Sequence, residues 1–529
     1  VYAMSNYNTI TSLAESPLME GLIYAGTDDG LINITEDGGK NWKRIEVGSL
    51  PGVPKTAFVD DIKADLFDAS TVYVALDNHK YGDFNPYLLK STDRGKSWIS
   101  IKSNLPDRTL VWRLVQDYVN PNLLFAATEF GVYFTINGGK KWIKLTGGVP
   151  TIAFRDLQIQ KRENDLVCGS FGRGIYILDD YSILRNISEK QLNEEATLFQ
   201  PKKAWWYIQN DLGVVQGSET FTAPNPPFGA LFTYYLKDKY KTLKSIRQEK
   251  EKKEIEKKEK VSFPGWEELE KERREGEPKI WLTVKDDAGN VIKRVEGKNN
   301  KGFNRVAWDL RFPATDAILN ESDTKRNYRG AMVAPGEYTV TLSKEIDGIT
   351  TDLSEPMKFK VERMYKGALI GANPDVTAAF WRETEKLNRS LSAATKILNS
   401  TLTKIGLMEK ALERTPAAPG NLDKQLYDLK QALYVIDEKM NGNRSKDEVG
   451  EKNNPTVLSR LEIATWGSFG STYGPTRDQK QSLEIAESEF LELKKELDVI
   501  LNVKLPAFEK ALMEAGAPWV AGQPIPELK

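Results

Sequence analysis

Apolar residues in the first third of the chain fall into short runs broken by polar turns, and the runs recur in one order. LIYAGTDDGLINIT at 22–35, LLFAATEFGVYFT at 123–135 and DLVCGSFGRGIYILDD at 165–180 each read as two buried strands joined by a tight loop. TVYVAL at 71–76 is a fourth such pair, split from YLLKST by the insertion DNHKYGDFNP. Leading strands read VDDIKAD, WRLVQD and FRDLQIQ, and a short outer strand closes each unit. The period predicts a four-strand unit repeated about four times over 1–181.

Between the third and fourth strands stands a shared turn. TEDGGKNW (35–42), STDRGKSW (91–98) and TINGGKKW (135–142) share the pattern S/T-x-D-x-G-x-x-W, with Asn137 in the third copy where Asp37 and Asp93 stand in the others. The Asp or Asn oxygen accepts from turn N–H groups, Gly39, Gly95 and Gly139 supply positive φ, and Trp42, Trp98 and Trp142 cap the apolar layer. These nine residues read as structural staples. Such units are blades of an Asp-box β-propeller. Three or four blades do not close a ring, so the expectation is a missing N-terminal half, supplied by the same polypeptide or by a separate chain.

Strand order puts the loops between second and third strands on the face opposite the Asp-box turns. Aligning the inner strands makes Asp61, Arg113 and Asp156 equivalent, with Asp60, Trp112 and Arg155 just before them. That face gathers weak catalytic candidates Asp60, Asp61 and Asp156. It also gathers ligand-binding candidates His79, Tyr81, Asp83, Arg113, Arg155 and Arg173. Paired carboxylates suit acid–base glycoside chemistry, and arginines grip carboxylate or sulfate. The competing reading is that Asp and Arg pair with one another between blades.

Further along, 182–216 reads as a connector. SETFTAP, GALFTYYL, KIWLTVKD, NRVAWDLR and GEYTVTL predict a β-sandwich of Ig or FlgD-like type over 217–365, with Trp308 and Tyr338 in its core. The Lys/Glu-rich stretch 238–278 predicts a solvated helix pair; the alternative is a docking arm anchored by Phe263 and Trp266. Residues 373–515 predict a helical bundle, opened by Asn373-Pro374-Asp375 as cap, first-turn proline and acid. WGSFGSTYGP reads as a packed connection or a binding loop, and 516–529 as a tail.

Composition narrows the classes. The 529 residues carry 74 basic and 75 acidic side chains, a net charge of −1, which argues against nucleic acid as a partner. No apolar run reaches the ~18 residues of a membrane span. The single cysteine, Cys168, reads as a buried strand thiol, and one histidine, His79, excludes multi-histidine zinc sites, so no metal or cofactor is expected. His79 has no Gly-x-Ser-x-Gly partner, which makes a peptidase weak, and no arginine triad with a Tyr/Glu pair supports a sialidase. The opening VYAMSNYN lacks the basic start and apolar core of a signal peptide.

GTDDGLINITEDGGKNW, PYLLKSTDRGKSW, FGRGIYILDD, APNPPFGALFTYYL, NRVAWDLR and the ending APWVAGQPIP resemble the Asp-box (BNR) repeat proteins of the sortilin-like, "glycosyl hydrolase"-labelled group of Bacteroidota, over the whole chain. The resemblance implies a multidomain, mainly β chain that is the C-terminal half of an exported protein, in the periplasm, at the cell surface or outside the cell. The expected function is a binding or scaffold protein that recognises a protein, peptide or glycan on the propeller face. The alternative is a glycoside hydrolase using the face carboxylates, and catalysis stays open at this point.

Overall fold

The computed structural model describes residues 9–209, 223–326, 328–365, 367–415 and 420–525. It divides into two compact units, Val1–Glu194 and Glu195–Lys529. The opening VYAMSNYN, the segment 210–222 with most of SETFTAP, and the last four residues of the tail lie outside the described residues.

The first unit is a succession of antiparallel meanders. The first sheet runs β1 (Ile10–Glu15), β2 (Ile23–Thr27), β3 (Leu31–Thr35) and β4 (Lys43–Glu46). The second runs β5 (Phe58–Ala64), β6 (Val72–Asn78), β7 (Asp83–Ser91) and β8 (Ile99–Ser100). The third runs β9 (Val111–Gln116), β10 (Leu124–Thr128), β11 (Gly131–Thr135) and β12 (Ile143–Lys144). The fourth stops at three strands, β13 (Phe154–Gln160), β14 (Asp165–Ser170) and β15 (Ile175–Leu178). The first strands of successive sheets stand side by side, β1 with β5, β5 with β9 and β9 with β13. That is how propeller blades meet around an axis.

The Asp-box turns are held locally. Asp37 accepts from the Asn41 backbone N–H at 2.9 Å, the Asn41 amide at 2.7 Å and the Thr35 hydroxyl at 2.8 Å. In that order, these bonds pull its carboxyl down to about 2. Asp93 repeats the arrangement with Ser97 and Ser91 and is likewise lowered to about 2. Asn137 keeps the oxygen and accepts from the Lys141 N–H at 2.9 Å and Thr135 at 2.8 Å. Gly39, Gly95 and Gly139 have φ of 93°, 74° and 91°.

Each blade packs on the one before it, and the repeat provides its own control. Ile62, Leu114 and Leu157 occupy one repeat position, directly after the Asp61, Arg113 and Asp156 register, and each is 1% exposed; Leu13, at the same position of the first blade, is 67% exposed. Trp98 and Trp142 are 8% and 3% exposed, whereas Trp42 is 47% exposed. At the other flank, Ile32, Leu88 and Val132 are each 0% exposed, and their equivalent Ile175 is 70% exposed. The arc therefore has a leading flank at Leu13 and Trp42 and a trailing flank at Ile175 and Ile177, and among the described residues no outer strand pairs with β15.

The unit closes on a buried knot. Arg185 donates through Nε and Nη2 to Asp117 at 2.9 and 2.8 Å, and the Tyr181 hydroxyl donates to the same carboxylate at 2.7 Å. Cys168 is buried, and burial pushes its thiol up to about 12.

In the second unit a three-stranded sheet (Ala196–Leu198, Ala230–Leu236, Gly302–Trp308) faces a larger one. The latter is built on Ala204–Trp206, Met357–Arg363, Gly336–Ile346, Lys279–Asp286 and Val291–Gly297, with Ile349–Asp352 at its side. The sheets meet through rings, Phe232 on Phe359 at 5.4 Å and Trp308 on Tyr338 at 5.5 Å. Within the expected connector 182–216, the described residues 182–209 form more than a link. Ser182–Arg185 and Glu189–Asn193 are short helices of the first unit, while Ala196–Leu198 and Ala204–Trp206 are strands of the second. Short strands that must pair at long range leave no local period to read.

The charged stretch forms helices Leu243–Glu256 and Trp266–Arg274, tied by Arg247 to Glu272 at 2.6 and 2.8 Å. The C-terminal region is helical: Pro374–Glu413, Leu422–Asn441, Val457–Thr465, Arg477–Val499 and Leu505–Glu514 are its main helices. The Asn373 side chain caps the first by accepting from the Asp375 N–H at 3.1 Å. Within WGSFGSTYGP, Ser468 is buried and its carbonyl accepts from the Trp381 indole N–H at 3.0 Å, while Trp466 is exposed. The helices share one core with the sheets, Trp206 lying 6.3 Å from Trp381, so the two sheets and the helices form a single compact unit.

Candidate functional site

Every inner strand carries a bulge near its start. The register skips one residue between Val59 and Asp61, between Val111 and Arg113, and between Phe154 and Asp156. Asp60, Trp112 and Arg155 are thus the extra residues at equivalent points, and a bulge re-aims the side chain it frees. Here it brings groups from three blades together.

They form one continuous ladder of rings and cations. Lys80 Nζ lies 4.5 Å from the Phe58 ring. Phe58 meets His79 edge-on at 5.8 Å, and His79 meets Trp112 at 5.9 Å. The Arg155 guanidinium lies over Trp112 at 3.6 Å and over Phe171 at 5.2 Å. Glu129 anchors the middle by accepting from the Trp112 indole N–H at 3.0 Å, with Arg155 at 3.8 Å. Beside the ladder Arg108 lies 5.6 Å over Phe84. Stacked cations of this kind contribute about 0.5–1 kcal/mol each when exposed, enough to pre-order a side chain.

Behind the ladder sits an acid pair. Asp77 is fully buried and accepts from the His79 backbone N–H at 3.0 Å, and its Oδ1 lies 2.6 Å from His79 Nδ1, which fixes the ring's orientation. Asp60 and Asp77 each leave one buried Oδ2 with no hydrogen-bond partner. Burial, reinforced by the charge of Asp77, pushes the Asp60 carboxyl well above the ordinary range. The sign follows: a raised folded-state value makes the stability contribution complete below the ordinary carboxyl range and lost as pH climbs toward the folded-state value. Asp60→Asn is therefore expected to flatten the loss of stability as pH rises above the ordinary carboxyl range. Parallel curves of stability against pH for the two proteins would contradict a raised Asp60 carboxyl.

No protein-family model matches this chain, and no curated protein matches it. Solved structures match in part. YCF48 bound to a D1 peptide is 18% identical with a TM-score of 0.25, over 33% of this chain and 52% of that one. A GH74 xyloglucanase from Xanthomonas campestris is 12% identical with a TM-score of 0.25, over 32% of this chain and 29% of that one. The extracellular domain of a hybrid two-component system protein from B. thetaiotaomicron is 10% identical with a TM-score of 0.27, over 67% of this chain and 38% of that one. These are β-propeller proteins. The chain spans between 29% and 52% of their lengths.

The residues singled out from sequence divide by what holds them. Asp61 is buried; burial pushes its carboxyl up, against Lys63 at 3.5 Å, the Leu114 N–H at 3.0 Å and Arg113 at 3.0 Å. Arg113 also donates to the Asp60 carbonyl at 2.9 Å and lies 3.7 Å from Asp156, which accepts from the Leu157 N–H at 2.9 Å. This cluster is the inter-blade pairing read from sequence. At Asp83 burial opposes ionisation, but bonds from Tyr87 at 2.6 Å, Asn85 and Asn78 outweigh it and hold the carboxyl below the ordinary range. It shapes its own loop. His79 and Arg155 belong to the ladder; Tyr81 and Arg173 are exposed on the β6–β7 and β14–β15 loops. Sequence reasoning missed Phe58, Asp77, Trp112 as a site residue, Glu129 and Phe171. Asp77 had a signal, an acid two residues before the only histidine, while the others needed the register.

Among the described residues no helix is long and apolar enough to cross a membrane, and no cluster of three or more His, Cys, Asp or Glu is placed to hold a metal ion.

Proposed function

We propose that this chain is part of a binding protein: an arc of propeller blades whose flanks are covered by further blades and whose loop face recognises a protein, peptide or glycan. The observation that carries the reading is the ladder. Arg155 and Phe171 are exposed and pre-stacked, while Asp61, Asp83 and Asp156 are held by bonds within the fold. A surface of fixed aromatic and cationic groups suits recognition. On this reading His79, Arg155 and Arg173 face the partner, Arg113 and Asp83 are scaffold, and Tyr81 lies at the rim. An exported location rests on the resemblance in sequence alone.

The flank contrast at Leu13, Trp42 and Ile175 supports the further blades, in the same polypeptide or another. Each covered equivalent packs on a neighbouring blade, so another blade is the shape that fits.

One observation favours a second reading, glycoside hydrolysis. Asp60 keeps its proton above the ordinary carboxyl range, as a general acid must. The two readings part in one experiment. Peptide and glycan arrays probed with the full chain and with Arg155→Ala/Phe171→Ser are expected to show binding that drops at least about tenfold in the variant, a loss of about 1.4 kcal/mol. Silent arrays, together with glycoside turnover that disappears in Asp60→Asn, would replace binding with hydrolysis.

A further inference from the structure

The charges around the ladder do not balance. Lys80, Arg108, Arg155 and Arg173 are exposed, and among the described residues Lys80, Arg108 and Arg173 join no ion pair. The acids nearby have partners within the fold or are buried: Glu129 on Trp112 and Arg155, Asp156 3.7 Å from Arg113, Asp83 on Tyr87, Asn85 and Asn78, Asp77 on His79, and Asp60, whose carboxyl burial pushes up. In the connection 101–110 only Asp107 remains, beside Arg108. A chain of net charge −1 thus concentrates unmatched positive charge on this one surface. The same surface exposes Phe130 and Phe171 on neighbouring loops.

We propose that the ladder face binds an acidic peptide segment that also carries apolar side chains. The inference rests on the binding reading and names its ligand. Carboxylates of the segment take the guanidinium groups of Arg155 and Arg173, each able to hold a carboxylate by two parallel N–H bonds. Apolar side chains of the segment cover Phe130 and Phe171. A peptide fits better than a sugar because Arg155 covers Trp112 and Arg108 lies over Phe84, and the exposed rings, Phe130 and Phe171, stand on separate loops, as side chains of an extended segment would meet them. Low charge density at the aromatic positions and cations at the edges is the composition of a protein-binding surface.

The test measures affinity of the full chain for four polymers: a random copolymer of glutamate and tyrosine, polyglutamate, polygalacturonate and polylysine. The copolymer is expected to bind most tightly and to weaken as salt is raised. Arg155→Ala/Arg173→Ala should weaken the copolymer at least about tenfold, while Phe171→Ser should weaken the copolymer and spare polyglutamate. All three positions are exposed, so a circular dichroism spectrum and melting temperature matching the parent confirm that the variants are folded. The proposal is overturned by a copolymer that does not bind, by equal binding to the arginine variant, or by preference for polygalacturonate, which would assign the face to an acidic glycan. If the arrays return neutral ligands that are lost in Arg155→Ala/Phe171→Ser, recognition at this face stands and its acidic specificity falls. Silence on both the arrays and the polymers removes both.

Discussion

Asp117→Ala is expected to destabilise the first unit by about 3–5 kcal/mol, the range for removing one partner of a buried ion pair. Asp117 is fully buried and takes two bonds from Arg185, one from Tyr181 at 2.7 Å, and the backbone N–H groups of Val119 and Asn120 at 2.9 and 2.7 Å. Burial alone pushes its carboxyl up, but the bonds from Arg185, Tyr181, Asn120 and Val119 outweigh it and hold it below the ordinary range. Alanine leaves the largely buried Arg185 charge and the Tyr181 hydroxyl without that partner, and frees the turn at 119–120. The same depressed carboxyl sets the pH dependence: its contribution is present above the ordinary carboxyl range and lost as pH falls through the lowered value. Hydrogen exchange of β9, β10 and β13 amides in urea reads the effect without interference from the second unit. A loss under about 1 kcal/mol would show that the knot does not hold the fourth blade to the third.

The second large effect is a contrast. Leu114→Ala removes a leucine packed between the second and third blades and is expected to cost about 2–5 kcal/mol. Leu13→Ala, at the equivalent position of the first blade, is expected to cost under about 0.5 kcal/mol in this chain, because Leu13 already faces solvent. In a protein whose ring is complete, the two substitutions should cost about the same. Urea unfolding of both variants, in this chain and in the protein purified from its native source, measures the difference. Equal costs within this chain would mean that Leu13 is already covered.

What could be read from sequence follows the range of the forces involved. The Asp-box turns were legible because every partner lies within a few residues: Thr35, Asp37, Gly39 and Asn41 complete their own bonds. The inner strands VDDIKAD, WRLVQD and FRDLQIQ aligned correctly because the bulge falls at the same point in each, so Asp61, Arg113 and Asp156 do share one register. The first inner strand, ITSLAE, escaped notice, since Ser12 stands where the others carry a charge. The helix that begins at Pro374 announced itself through a local cap, whereas the strand Ala204–Trp206 depends on a parallel pairing with Val361 to Arg363 far along the chain. The ladder was illegible for the same reason. Its rings and cations come from β5, the β6–β7 loop, β9, β13 and the β14–β15 loop, and only the bulged register brings Arg155 onto Trp112. A face of paired Asp and Arg was visible, but which acids were spent within the fold and which cations were left over required the hydrogen bonds.

Trp42 offers the most direct measurement of whether further blades cover this arc. In the protein as purified from its native source, covalent labelling of tryptophan indoles, read by mass spectrometry, compares Trp42 with its repeat equivalents Trp98 and Trp142. The account predicts that all three are protected to a similar degree, while the 529-residue chain alone labels strongly at Trp42 and weakly at the other two. Trp42 labelling as strongly in the native protein as in the isolated chain would contradict it.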